Sequence, residues 1–324
     1  MAEIDDLYPV SGAKTRRTAR SSYLRPELTP LDKDALSALG SLPLRARLLA
    51  DSLGVGGHAS RRKGSSIEFA DYRDYQMGDD LRRVDWRLYG RTDRLHVRET
   101  YEETPLRTVL LLDVSNSMAY TSRPGKLTKL DFARSLLGAV ALLVRRQHDS
   151  CGVGLLGREL EEWMPPSAST ARLQALWELL DTPKPVPETS LARALNQAVE
   201  VTSARSLFVL ASDFYEEPEA MQPVIRRLRY ERHDLLTFYV SDPAEVDFQF
   251  NEPTEFVDVE TGLSLAADPA ALAEIYRKRF AAHRSAVCEL CTANGFDALA
   301  LRTDELPMEA LRAFLSRRDT HRRT

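Results

Sequence analysis

Cysteine is scarce in this chain of 324 residues: Cys151, Cys288 and Cys291 are its only three. They cannot build a disulfide framework, so the fold has to rest on an apolar core, and the usage fits a reducing compartment. Long apolar runs are lacking too. The longest, Leu136–Val144, falls well short of the ~20 residues that span a bilayer and ends at Arg145 and Arg146. Residues 1–30 are polar and charged, without the apolar stretch and small-residue cleavage site of a secretory signal. The expectation is a cytoplasmic chain with no membrane span. Neither sign of charge dominates, since 44 Lys and Arg face 48 Asp and Glu for a formal −4. The strong basic excess of a nucleic-acid or membrane-surface binder is therefore missing. No Gly-x-x-x-x-Gly-Lys-Ser/Thr loop occurs, which excludes nucleotide hydrolysis by that route.

What is present reads as globular: 43% hydrophobic and 28% charged residues, in a length that allows one large domain plus an accessory module. Residues 1–30 form a basic arm, with Lys14, Arg16, Arg17, Arg20 and Arg25 among small polar residues that bury too little to offset ordering. A helical spacing of Leu and Ala over 32–53 opens a subdomain at 31–104. Two alternating stretches, Ile67-Glu68-Phe69 and Leu95-His96-Val97-Arg98, read as strands flanking a charge-dense segment with a turn at Met77-Gly78-Asp79.

From residue 105 to 305 the texture is that of a doubly wound α/β domain with a mostly parallel sheet. Continuous apolar runs at 109–112, 152–156, 207–211, 235–240 and 297–301 suit strands buried on both faces. Helical patterns alternate with them at 130–147, 169–181, 190–203, 219–231 and 269–294. A last helix, 307–317, leads into a basic tail, Arg317-Arg318-Asp319-Thr320-His321-Arg322-Arg323, read as solvated.

Ligands of open α/β sheets sit beyond the carboxyl ends of the strands. At that edge the first strand runs into Asp113-Val114-Ser115-Asn116-Ser117, and the strand at 207–211 runs into Ser212-Asp213. Thr189 opens a further helix in Thr189-Ser190-Leu191-Ala192. Asp113, Ser115, Ser117, Thr189 and Asp213 together form a donor set of oxygen alone, which selects Mg²⁺, or else Mn²⁺ or Ca²⁺, over zinc. With two carboxylates and three hydroxyls, such an ion keeps an open position and stays electrophilic. An Asp or Glu of another protein suits that position.

This pattern resembles the metal-ion-dependent adhesion site of von Willebrand factor A domains, with Pro187-Glu188 before the threonine where that family often has glycine. Upstream, Phe69-x-Asp71-x-Arg73-x-Tyr75-x-x-Gly78-Asp79-Asp80-x-Arg82-Arg83-x-Asp85-Trp86 resembles the signature of the bacterial family called domain of unknown function 58, in which it precedes an A-like domain. The resemblance covers roughly residues 40–300. It implies a von Willebrand factor A-like fold and a partner among MoxR-type AAA+ ATPases, which the chain would assist as an adaptor or co-chaperone.

Other patterns carry less. Aromatic residues between Arg73, Arg82 and Arg83 suit base stacking, but the acidic balance of the chain counts against nucleic acid. Asp80, Asp85, Arg73 and Arg83 instead suit a buried ion network that fixes the subdomain on the sheet. Cys288 and Cys291 read as two small residues of one helix face, because a structural zinc needs two further ligands. A rival function is an Mg²⁺-dependent aspartyl phosphotransferase of the haloacid dehalogenase type with Asp113 as nucleophile. Its acid–base aspartate two residues on is here Ser115, and no phosphate-clamping lysine follows a strand.

Overall fold

The computed structural model describes residues 33–53, 68–101, 106–187, 189–250, 254–257, 264–267 and 269–323. The basic arm expected over 1–30 lies outside them, as does Glu188. Two helices, α1 (Lys33–Ala38) and α2 (Leu42–Ser52), replace the single helix read over 32–53. The break at Leu39-Gly40-Ser41 is followed by Pro43, which suits the first turn of a helix but not its interior.

The signature segment is a two-stranded antiparallel sheet of β1 (Glu68–Asp74) and β2 (His96–Tyr101), with α3 (Trp86–Thr92) between the strands. The turn falls where expected: Gly78 sits at φ +112°, a conformation that side-chain-bearing residues rarely adopt.

The main sheet has six strands. In chain order the elements are β3 (Arg107–Asp113), α4 (Lys129–Arg146), β4 (Ser150–Leu156), β5 (Leu160–Ser167), α5 (Ala171–Asp181), α6 (Leu191–Glu200), β6 (Leu207–Ser212), α7 (Pro218–Tyr230), β7 (Asp234–Ser241) and α8 (Pro243–Asp247). A short hairpin of β8 (Thr254–Val257) and β9 (Ser264–Ala267) comes next, then α9 (Pro269–Ala293), β10 (Asp297–Arg302) and α10 (Met308–Arg323). The strand order is β10-β7-β6-β3-β4-β5, parallel except for β5, which pairs antiparallel with β4. The doubly wound α/β class expected from the sequence is the fold the chain adopts. Strand β5 escaped the sequence reading, as did the hairpin β8–β9.

Alternate residues of the central strands feed two cores. Leu110, Leu112, Val209, Ala211 and Phe238 pack with α2, α4 and α10 on one face. Val109, Leu111, Phe208, Leu210 and Tyr239 pack with α6, α7 and α9 on the other. Burial on both faces is why these strands read as unbroken apolar runs. Helix α2, grouped by sequence with the signature segment, buries Leu42, Leu49 and Ala50 in the first of these cores. Helix α10 corrects another expectation. It runs to Arg323 instead of ending near 317, with Ala310, Leu311 and Phe314 buried. Within that stretch Arg317 Nε lies 2.6 Å from Asp297 Oδ2, so this arginine is paired with the end of the sheet rather than solvated.

Candidate functional site

Strand β3 is the pivot of the sheet, because the chain leaves it toward β4 on one side and fills β6 on the other. The crevice for ligands therefore opens between the carboxyl ends of β3 and β6. Leu112 pairs with Ala211 across these strands, which brings the next residues, Asp113 and Ser212, side by side. Both carboxylate oxygens of Asp113 are engaged: Oδ1 accepts from the Ser115 backbone N–H at 2.9 Å, and Oδ2 accepts from Ser212 Oγ at 2.5 Å. Ser115 Oγ and Ser117 Oγ lie 2.9 Å apart. Asp113, Ser115, Ser117 and Asp213 are all nearly sealed from solvent.

The loop after β3 is pinned from both ends. Val114 N–H donates to Leu156 O, Val186 N–H donates to Val114 O, and Asn116 N–H donates to Val186 O. A tight helical turn over Asn116–Ala119 follows, anchored by fully buried Met118. Thr189 is half-buried three residues after Val186, on the segment that flanks Ser115. Asp113, Ser115 and Ser117 thus form one hydrogen-bonded group, and Asp213 adjoins it through Ser212. Among the described residues, none hydrogen-bonds the Thr189 side chain.

After β6 the backbone turns sharply, with Phe214 in the left-handed region at φ 50°. That conformation costs energy in a residue with a Cβ, and it persists where the surroundings fix it. Here the Phe214 N–H donates to Ser212 Oγ at 2.8 Å, its carbonyl oxygen lies 2.7 Å from His283 Nε2, and its ring stacks on Tyr239 at 5.6 Å. The turn holds the Asp213 carboxylate in the crevice.

Two charged residues that the sequence reading missed complete the group. Lys129, in the first turn of α4, is 1% exposed; its Nζ lies 2.8 Å from Asp213 Oδ2 and also donates to Glu245 Oε1. A buried cation at the amino end of a helix opposes both desolvation and the helix dipole, so these carboxylates are what hold it. Glu245 is fixed in turn, since its Oε2 accepts from the Asp242 N–H in the capping box of α8. Burial alone would favour the neutral amine of Lys129, but the charges of Asp213 and Glu245 raise its pKa above the ordinary lysine value. Burial, and then the charge of Asp213, push the Asp113 carboxyl up to about 7, against the hydrogen bonds from Ser212 and Ser115. Two carboxylates, Asp213 and Glu245, thus share one ammonium. Asp213 Oδ1 is buried and has no hydrogen-bond partner among the described residues.

Among the described residues no group of three His, Cys, Asp or Glu side chains is placed to hold a metal ion. A cation here would depend on the serine and threonine hydroxyls, and the donor set fits one: two carboxylates, one of them with an oxygen that no described residue meets, and two hydroxyls within hydrogen-bond distance of each other. All of these donors are hard.

Several of the signature residues make local contacts within their own segment. Asp85 is buried, but its Oδ1 caps α3 by accepting from the N–H groups of Arg87 and Leu88. Asp80 is exposed and accepts from the Arg82 N–H. Arg73 pairs with Asp79 at 2.9 Å, and Asp79 also accepts from the Gln76 N–H. Tyr75 N–H donates to Leu95 O, and Arg83 belongs to the tight turn Leu81–Arg83. Carboxylates and backbone hold the segment locally, because short polar side chains between turns find their own amides first. Trp86 is 58% and Met77 fully exposed. Cys288 and Cys291 lie on α9 as free thiols, with Cys291 Sγ 3.7 Å from Thr237 Oγ1.

Among relatives, an uncharacterized protein of Mycobacterium tuberculosis is 29% identical over 283 residues, covering 84% of this chain and 86% of its own length. An uncharacterized protein of Mycobacterium bovis matches to the same extent, 29% over 283 residues. Among solved structures, the conserved hypothetical protein BatB of Bacteroides thetaiotaomicron is 13% identical, with a TM-score of 0.43 over 65% of this chain and 98% of that one. An aerotolerance-related membrane protein of Bacteroides fragilis gives 12% and a TM-score of 0.42 over 64% and 97% of the two chains. The SpRpn10 VWA domain gives 8% and 0.36 over 64% and 94%. In this chain no described helix is long and apolar enough to cross a membrane. The family model described as protein of unknown function DUF58 matches residues 71–286, and the chain belongs to that family.

Proposed function

We propose that this chain is a non-enzymatic interaction module whose divalent cation, Mg²⁺ or else Mn²⁺ or Ca²⁺, receives an acidic residue of a partner protein. Asp113, Ser115, Ser117, Thr189 and Asp213 would hold the ion. Bound there, it would supply a Lewis-acidic position for the incoming carboxylate. The partner would be a MoxR-type AAA+ ATPase or a client protein of one, and the chain its cytoplasmic adaptor or co-chaperone.

The carrying observation is the charge deficit at the crevice. Asp113 and Asp213 are buried and Glu245 partly so, and among the described residues the one cation bonded to this group, Lys129, reaches Asp213 and Glu245 but not Asp113. Buried charge is costly unless paired, and a divalent ion supplies the missing compensation. The phosphotransferase alternative is less well supported. The position two residues after Asp113, where such an enzyme needs its acid–base aspartate, is Ser115, which cannot protonate a leaving group. Lys129 is a lysine near the site, but it is held by Asp213 and Glu245.

The test is a pull-down of the full chain from lysate of its own source, with Mg²⁺ and with chelator, repeated with Asp113→Asn. Capture of an AAA+ ATPase or its client only with Mg²⁺ and only by the unaltered chain is the expected result. Capture that ignores both chelator and substitution contradicts it, and steady Mg²⁺-dependent hydrolysis of a phosphate ester would favour the phosphotransferase.

A further inference from the structure

Asp213 also borders a cavity of about 270 Å³, lined by aromatic rings and carboxylates. Tyr215, Tyr239, Tyr276 and Phe280 supply the rings, and Asp213, Glu217 and Glu245 supply the acids. The rings are braced against one another: Tyr276 stacks on Phe280 at 6.0 Å, and Phe280 meets Tyr239 edge-on at 6.4 Å. Buried Asp213, with its unpartnered Oδ1, forms part of the wall.

We infer that this cavity is a receptor for a cationic side chain, an arginine of a partner protein. It falls below the ~300–1,000 Å³ of pockets for drug-sized ligands and cofactors, which suits one side chain. Its charge is complementary. Three carboxylates line it against Arg279, and two of the three share Lys129, with no other cation bonded to them among the described residues. A planar guanidinium combines the two attractions available, stacking on an aromatic face and donating to carboxylates in a fork. Aliphatic side chains would leave the excess of acid over Lys129 and Arg279 unanswered, and an anion would meet a lining with more carboxylates than cations.

The cavity shares Asp213 with the crevice, so the inference deepens the proposed function: a partner would present a basic residue beside the acidic residue at the metal. It does not depend on the metal, and the experiment separates the two. The probe is N-acetyl-L-arginine amide, titrated into the isotope-labelled full chain in chelator and again in Mg²⁺, with shifts followed by NMR. The isosteric but uncharged N-acetyl-L-citrulline amide is the control. Saturable shifts of Tyr215, Tyr276 and Phe280 are expected with arginine in both buffers, with at least about fivefold weaker binding of citrulline. Glu217→Gln, at an exposed position, and Phe280→Leu are each expected to weaken arginine binding about threefold or more while the remaining spectrum is kept. Absence of saturable arginine binding, or equal binding of citrulline, overturns the inference. Arginine binding in a chain that takes up no divalent ion would contradict the metal site alone.

Discussion

Lys129 Nζ, in the first turn of α4, sits 2.8 Å from Asp213 Oδ2 at the end of β6, both side chains almost wholly out of water. The pair ties the helix after the Asp113 loop to the strand that carries the second acid, and Glu245 joins it from α8. Carboxyl groups thus outnumber cations at the crevice: one ammonium is built in against Asp213 and Glu245, and among the described residues Asp113 has no cationic partner.

Lys129→Met tests the internal cation. Removing one partner of a buried pair leaves the other charge uncompensated, at a cost of about 3–5 kcal/mol. Urea unfolding is expected to show that loss, with partial recovery in the double variant Lys129→Met/Glu245→Gln. A loss below about 1 kcal/mol would mean that the ammonium is not holding Asp213.

Asp85→Ala separates a cap from a buried ion network. Loss of an N-cap is worth about 0.5–2 kcal/mol, so the variant is expected to stay folded with a modestly lowered urea midpoint. Unfolding at ordinary temperature would show that Asp85 does more than cap, as a member of the network that the sequence suggested.

Gly152→Ala tests the close approach of β4 and β5. A Cβ at this position would stand 2.6 Å from the Met164 carbonyl oxygen and 2.6 Å from Pro166 N, both backbone atoms of the antiparallel edge strand. A cost of about 1–3 kcal/mol is expected from the forced separation, read by thermal unfolding. An unchanged midpoint would show that the edge strand moves aside freely.

His233 supplies a pH dependence away from the crevice. Its Nδ1 accepts from the Ser206 N–H at 3.2 Å, its ring meets Phe208 edge-on at 5.1 Å, and burial lowers its pKa below 6.5 despite Glu231 nearby. The unfolded chain therefore takes up this proton before the folded one. Stability from this group is complete above pH ~6.5 and declines as pH falls from there toward the depressed native value. His233→Gln is expected to flatten that part of the wild-type profile of urea midpoint against pH. An equal slope in both proteins would contradict it.

The sheet was legible wherever burial was symmetric. Val109–Leu112 and Leu207–Ala211 are apolar on both faces, and the acids that end them, Asp113 and Asp213, stand out against that background. Strand β5 was hidden because its residues are half-exposed and Pro165-Pro166 falls inside it, which an edge strand tolerates and a central one does not. Lys129 was hidden for another reason. It reads as the solvated start of an amphipathic helix, and its partners lie 84 and 116 residues away. The one local signal was a basic residue in a helical first turn, against the dipole. Of the signature acids, Asp85 was legible as structural, while spacing alone does not tell a carboxylate that caps its own helix from one that also pairs across a subdomain.

Divalent ion uptake tests the account most directly. Mn²⁺ is titrated into the full chain and its free signal followed by electron paramagnetic resonance, alongside Asp113→Asn and Ser117→Ala variants shown to be folded by circular dichroism. One Mn²⁺ per chain, displaced by Mg²⁺ and weakened more than about tenfold in either variant, is expected. No stoichiometric uptake by the unaltered chain, or undiminished affinity in both variants, would contradict the metal-held crevice outright.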